Sequence, residues 1–134
     1  MTNPVTGVVT RFTYDGDGNR VLQTVGSATT LYLGSHYEKD LASGTVSTYY
    51  YAGRQRIALR QGGTLRWLSD DHLGSTTLTT NSAGAKTAEL LYTPFGTTRY
   101  SWGATPTSYQ FTGQRNDTTG LMYYVARDYD PYLN

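Results

Sequence analysis

The chain has 134 residues, no cysteine and a formal net charge of +1 at neutral pH. Disulfide and thiol chemistry are thereby excluded, and so weak a field gives no reason to expect nucleic acid or an anionic membrane as partner. The length suits a single domain over residues 1–134 with one modest core, and no stretch approaches the roughly 20 apolar residues of a transmembrane helix. Thirteen tyrosines and 15 glycines, against two methionines, favour strands and turns over helices. The opening Met1-Thr2-Asn3-Pro4 lacks the basic and apolar pattern of a signal peptide.

In chain order, the first expected hairpin pairs a Val/Thr/Phe/Tyr run, Gly7–Tyr14, with Arg20–Thr24 across the turn Asp15–Asn19. Alternating oxygens at Asp15, Asp17 and Asn19 match the opening of an EF-hand calcium loop. The match stops at the sixth position, where Arg20 replaces the required glycine, and at the twelfth, where Gly26 replaces glutamate, so the segment reads as a solvated turn. Strand-like runs follow at Thr29–Asp40 and Thr45–Tyr51, separated by Leu41-Ala42-Ser43-Gly44. Ile57 and Leu59 alternate with Arg56, Ala58 and Arg60, and Leu65 and Trp67 flank Arg66, the period of strands with one apolar face. Gln61-Gly62-Gly63 makes these two strands a tight hairpin.

Asp70-Asp71-His72 offers imidazole and carboxylate ligands, but consecutive residues point in different directions and His36 stands without a motif. The cluster therefore reads as a hydrogen-bonded turn into the strand Ser75–Thr80, with no metal and no cofactor expected. Asn81–Ala85 is another turn, Lys86–Thr93 another strand, and Pro94-Phe95-Gly96 a bend with the Phe95 ring expected in apolar surroundings. Tyr100–Ser108 reads as a surface loop. The last third reads as a closing hairpin, with Tyr109–Gln114 and Leu121–Tyr129 flanking the turn Arg115–Gly120 and Phe111 opposite Met122–Val125. Pro131 ends it. No helical stripe of ten residues appears, and turns every 8 to 12 residues predict roughly ten short antiparallel strands.

Phe111-Thr112-Gly113-Gln114-Arg115, Thr119-Gly120-Leu121 and Tyr123-Tyr124-Val125-Ala126-Arg127-Asp128-Tyr129-Asp130-Pro131 together resemble the core signature of the RHS-repeat (YD-repeat) proteins. Asp71-His72-Leu73-Gly74-Ser75 and Tyr92-Thr93-Pro94-Phe95-Gly96 resemble two further blocks of it, so the signature spans 71–131; Tyr14-Asp15-Gly16-Asp17-Gly18-Asn19-Arg20 resembles one YD repeat, near 14–24. The resemblance implies an all-β fold of antiparallel hairpins in a curved sheet or partial shell. It also implies a secreted or cell-surface scaffold, since large relatives wind such hairpins around a toxin.

Three functions follow. The resemblance implies a self-cleaving core as one, with Arg127, Asp128 and Asp130 as its remnant; two nearby carboxylates can share a proton as an acid/base pair. The sequence stops at Pro131-Tyr132-Leu133-Asn134, short of the continuation the family pattern requires, so no enzymatic activity is expected. Arg127 is then expected to pair with Asp128 or Asp130. A carbohydrate- or peptide-binding module would use Tyr49, Tyr50, Tyr51 and Trp67, whose rings combine an apolar face with a polar tip, although cross-strand packing is the preferred reading of them. A structural scaffold explains the most residues. It would associate with copies of itself or with a larger RHS-type shell through Gly7–Tyr14 and Leu121–Tyr129, end strands that are long and poor in lysine.

Overall fold

A computed structural model describes residues 1–2 and 6–133; Asn3 and Pro4 of the opening tetrapeptide and the final Asn134 lie outside them. Ten antiparallel strands form one open sheet in sequence order: β1 (Thr10–Tyr14), β2 (Arg20–Val25), β3 (Ala28–Leu33), β4 (Tyr37–Asp40), β5 (Val46–Ala52), β6 (Gln55–Gln61), β7 (Thr64–Asp70), β8 (Thr76–Asn81), β9 (Lys86–Tyr92) and β10 (Thr98–Gly103). The chain then returns across one face of this sheet, forming a single 3-10 turn at Phe111–Gly113. A small second sheet follows, of β11 (Arg115–Asn116), β12 (Met122–Tyr123) and β13 (Asp128–Tyr129). The all-β antiparallel expectation holds, and the sheet does not close on itself.

One turn recurs and explains most of the quoted motifs. At Asp15–Asn19, Asp71–Ser75, Asn81–Ala85, Thr93–Thr97, Gln110–Gln114 and Asp117–Leu121 the first N–H donates to the fifth carbonyl and the fourth N–H to the first. The fourth residue is always glycine at positive φ, from +70° at Gly113 to +91° at Gly96. This is the three-residue hairpin loop in which only glycine takes the left-handed position without cost. Where the first residue is Asp15, Asp71 or Asn81, its Oδ1 also accepts from the third and fifth N–H groups, at 2.8–3.0 Å. The carboxylates that suggested calcium at Asp15 and a metal at Asp71 are therefore occupied by their own turns. Between β6 and β7 both Gly62 and Gly63 have positive φ, the two-residue reversal expected there.

The core lies on the face that the return segment covers. Leu59 has 0% exposure and clusters with Tyr49, Leu68 and Tyr109, and Tyr109 meets Tyr49 edge-on with ring centres 5.1 Å apart. A bulge between Tyr50 and Tyr51 brings Arg56 opposite Tyr51, so Arg56 is buried on the same side as Leu59. Simple alternation, which set Arg56 on a polar face with Ala58, fails at that bulge.

Four further expectations are corrected. The run 29–40 is two strands, because Gly34 (φ +60°) reverses the chain between β3 and β4. Phe95 is 57% exposed; the buried ring at that bend is Phe111, which packs against the backbone of Gly96. Residues 98–103 form the edge strand β10 rather than a loop. The closing hairpin pairs Arg115–Asn116, not Phe111, with Met122–Tyr123. Leu121–Tyr129 is itself folded over at Val125 (φ +58°), where Tyr124 N–H donates to the Arg127 carbonyl at 2.9 Å.

Candidate functional site

Three buried arginines, Arg20, Arg56 and Arg115, stand under the return segment. Arg20 closes the first turn motif, yet its partner is 97 residues away: its Nη1 donates to both carboxylate oxygens of Asp117, at 2.7 and 2.8 Å. The guanidinium is sandwiched between the rings of Phe12, at 4.0 Å, and Tyr123, at 3.8 Å. Arg115 pairs with Glu38 and lies over Tyr32 and Tyr109, at 4.2 and 4.3 Å from their ring centres. Arg56 sits 3.3 Å above the Tyr109 ring and donates through Nε to the Tyr51 hydroxyl at 3.1 Å. A guanidinium is more weakly hydrated than an ammonium and is attracted to aromatic faces, so each site is a cation–π clamp between the sheet and its cover.

The three arginines line one cavity of about 290 Å3, together with Tyr109, Tyr123 and the exposed Val125 at its rim. Its inventory is uneven. Two of the cations have carboxylates, whereas among the described residues Arg56 has no acid within ion-pair distance. The Nε and Nη2 of Arg20 are buried without a hydrogen-bond partner, and Nη2 comes only to 3.9 Å from Asp128. A second recess of about 510 Å3 shares Arg56 and adds Arg54, Asp70 and Asp71. Burial raises the Asp70 carboxyl above the ordinary range.

The residues singled out from sequence fall in different places. Asp128 reaches the rim of the Arg20 pair, whereas Asp130 Oδ1 accepts the Tyr132 N–H at 2.8 Å in a local turn. Among the described residues Arg127 forms no ion pair with either aspartate; the cation near Asp128 is Arg20. Among the described residues no hydrogen bond or ion pair joins Arg127, Asp128 and Asp130 to one another. Tyr49 is in the core, hydrogen-bonded to Thr107 at 2.9 Å, and Tyr51 donates to the Ser35 carbonyl at 3.1 Å on the inner face. Tyr50 and Trp67 are 41% and 43% exposed on the outer face, flanking Ala58. The four aromatics therefore do not form one surface. Sequence reasoning missed Arg20, Arg56, Arg115, Glu38 and Asp117; the available signal was arginine beside aromatic strands.

The buried phenols give the fold an alkaline limit. Desolvation raises Tyr32 and Tyr109 to about 12 from 10.0, against the pull of Arg115 on both. Above pH 10 the unfolded phenols lose protons that the folded ones keep, so stability present below pH 10 is lost as pH rises towards 12. Each phenol is expected to give up about 1.4 kcal/mol by pH 11. Urea midpoints at pH 9 and pH 11 check this, and unchanged midpoints would contradict it.

No family model matches the sequence, and no curated protein matches it. Solved structures do match. A chain in a crystal structure of TcdB2-TccC3-TEV superposes with a TM-score of 0.80 at 22% identity, covering 99% of this chain and 8% of that one. A chain in the Tc holotoxin pore of Photorhabdus luminescens, carrying a TccC3 mutation, gives 0.80 at 23%, over 98% and 8%. A chain of TcdB2-TccC3 gives 0.76 at 24%, over 92% and 7%. The protein is therefore similar in fold to a short portion of much longer chains. The shared architecture is an open sheet of successive antiparallel hairpins of the RHS type.

Proposed function

We propose that the chain is a structural β-module, a strip of wall in a secreted or surface RHS-type shell, joined to further sheet through the free edge of β10 and without catalytic activity of its own. The observation that carries this reading is the contrast between the two ends of the sheet. At β1 the N–H and C=O of Thr10 are both taken by Met1, at 2.7 Å, while Val9 C=O accepts from Gly26 N–H on the β2 side. Backbone groups alternate along an antiparallel strand, so only Phe12 and Tyr14 present theirs outward. A bulge after Thr13 twists that edge further. The β1 end is thus short and protected, contrary to the long bare edge expected at Gly7–Tyr14, and Leu121–Tyr129 is no edge of the main sheet at all. Strand β10 differs: every residue from Thr98 to Gly103 is exposed, Tyr100 and Trp102 among them. Such an edge is a template for another strand.

The likeness to 7–8% of longer chains supports a wall segment over a discrete enzyme or lectin. Each backbone hydrogen bond across a β10 junction would add about 0.5–1.5 kcal/mol net. Light scattering across concentration is the test. Mass is expected to rise with concentration in the native chain and to stay at one chain for Tyr100→Lys. A native chain that remains monomeric would remove self-pairing from the proposal.

A further inference from the structure

The cavity between the sheet and the return segment carries an inference beyond a wall function: the geometry points to a carboxylate-binding site, with the Nε/Nη2 edge of Arg20 and the guanidinium of Arg56 as its donors. The rings of Phe12 and Tyr123 occupy both faces of the Arg20 guanidinium, at 4.0 and 3.8 Å, and Asp117 occupies Nη1. What remains is the in-plane edge, Nε and Nη2, buried and unpartnered in a residue only 5% exposed. Two parallel N–H groups on that edge match the two oxygens of a carboxylate, the strongest acceptor a guanidinium finds. Asp128 does not fill the position, since its oxygen stops 3.9 Å from Nη2. On the same cavity wall Arg56 uses Nε for Tyr51 and, among the described residues, has no carboxylate. The buried guanidinium edge of Arg20, left without acceptors, is costly, and an anion in the cavity that both arginines line would supply the missing acceptors.

The space sets the size of the guest. About 290 Å3 is at the lower limit of small-molecule sites and suits a carboxylate on a short stem. A free dicarboxylate and the side chain of an acidic peptide share that chemistry.

Malonate and a blocked Gly-Asp-Gly peptide, each titrated against chloride at constant ionic strength, separate the two sources. The signals are the side-chain Nε–H resonances of the arginines in proton–nitrogen spectra of the full chain. Saturable shifts of Arg20 and Arg56 with malonate alone indicate a small free anion, and shifts with the peptide as well admit an acidic side chain. Arg56→Gln is expected to weaken binding at least tenfold. Arg54→Gln, at an exposed position outside this cavity, should leave it unchanged, and Asp128→Asn should tighten it several-fold by removing a competing carboxylate. If neither carboxylate moves the Arg20 and Arg56 signals in the native chain more than chloride does, the site does not exist. Equal binding by a folded Arg56→Gln would also overturn it.

Discussion

Replacing Asp117 by alanine is expected to lower the unfolding free energy by about 3–5 kcal/mol, because it leaves the Arg20 cation buried without its counter-charge. Both side chains of this pair are at most 4% exposed, so water cannot take over the lost bonds. The pair also joins β2 to the turn before β12, and Arg20 N–H donates to the Tyr123 hydroxyl at 3.2 Å in the same place. A small domain holds only about 5–15 kcal/mol in all, so the loss is a large share of the total. The paired change Arg20→Met with Asp117→Leu removes both charges while keeping apolar volume, and should recover most of the loss. Urea denaturation of the two variants decides it. An Asp117→Ala cost under about 1 kcal/mol would mean that the pair's desolvation cancels its attraction when Arg20 finds other partners.

Gly96→Ala should also be strongly damaging, and Gly84→Ala shows why. Both glycines occupy the left-handed position of the same turn, at φ +91° and +84°. A Cβ at Gly84 meets nothing within 4 Å, so its substitution costs only backbone strain, about 1–2 kcal/mol. A Cβ at Gly96 would lie 2.5 Å from the Phe111 ring. That ring is buried against Tyr92, 5.7 Å between centres, and cannot withdraw without opening the cover, which adds about 1–3 kcal/mol of overpacking. Thermal unfolding of both variants should separate them, and equal losses would show that Phe111 moves freely.

These two sites also mark how far the sequence can be read. Glycine three places after Asp, Asn or Thr is a local rule, and the turns at 15–19, 71–75 and 81–85 were legible because their hydrogen bonds stay within five residues. The alternation of β6 and β7 was legible for the same reason. Arg56 was not, because its facing depends on a bulge opposite Tyr51, where one residue of offset reverses the side. Val125 misled more seriously: a β-branched residue is a poor choice for φ +58°, so the run 121–129 reads as one strand although the chain folds over within it. The clamps lay beyond local reading altogether. Arg20 meets Asp117 and Arg115 meets Glu38 across most of the chain, and no spacing announces such pairs.

The order of pairing in the sheet has a consequence for synthesis. Within the sheet every strand from β1 to β10 pairs only with its neighbours in sequence, so each hairpin can close soon after its second half leaves the ribosome. Tyr109, Arg115 and Asp117, which pack on Tyr49, Glu38 and Arg20, are translated after the last of those ten strands. A nascent chain therefore passes through an interval in which its hydrogen-bonded ladder is complete while Leu59, Tyr49 and Arg20 still face water. Chaperones that recognise apolar strands would meet the protein in that interval, and their release would follow the arrival of the return segment rather than the making of any strand.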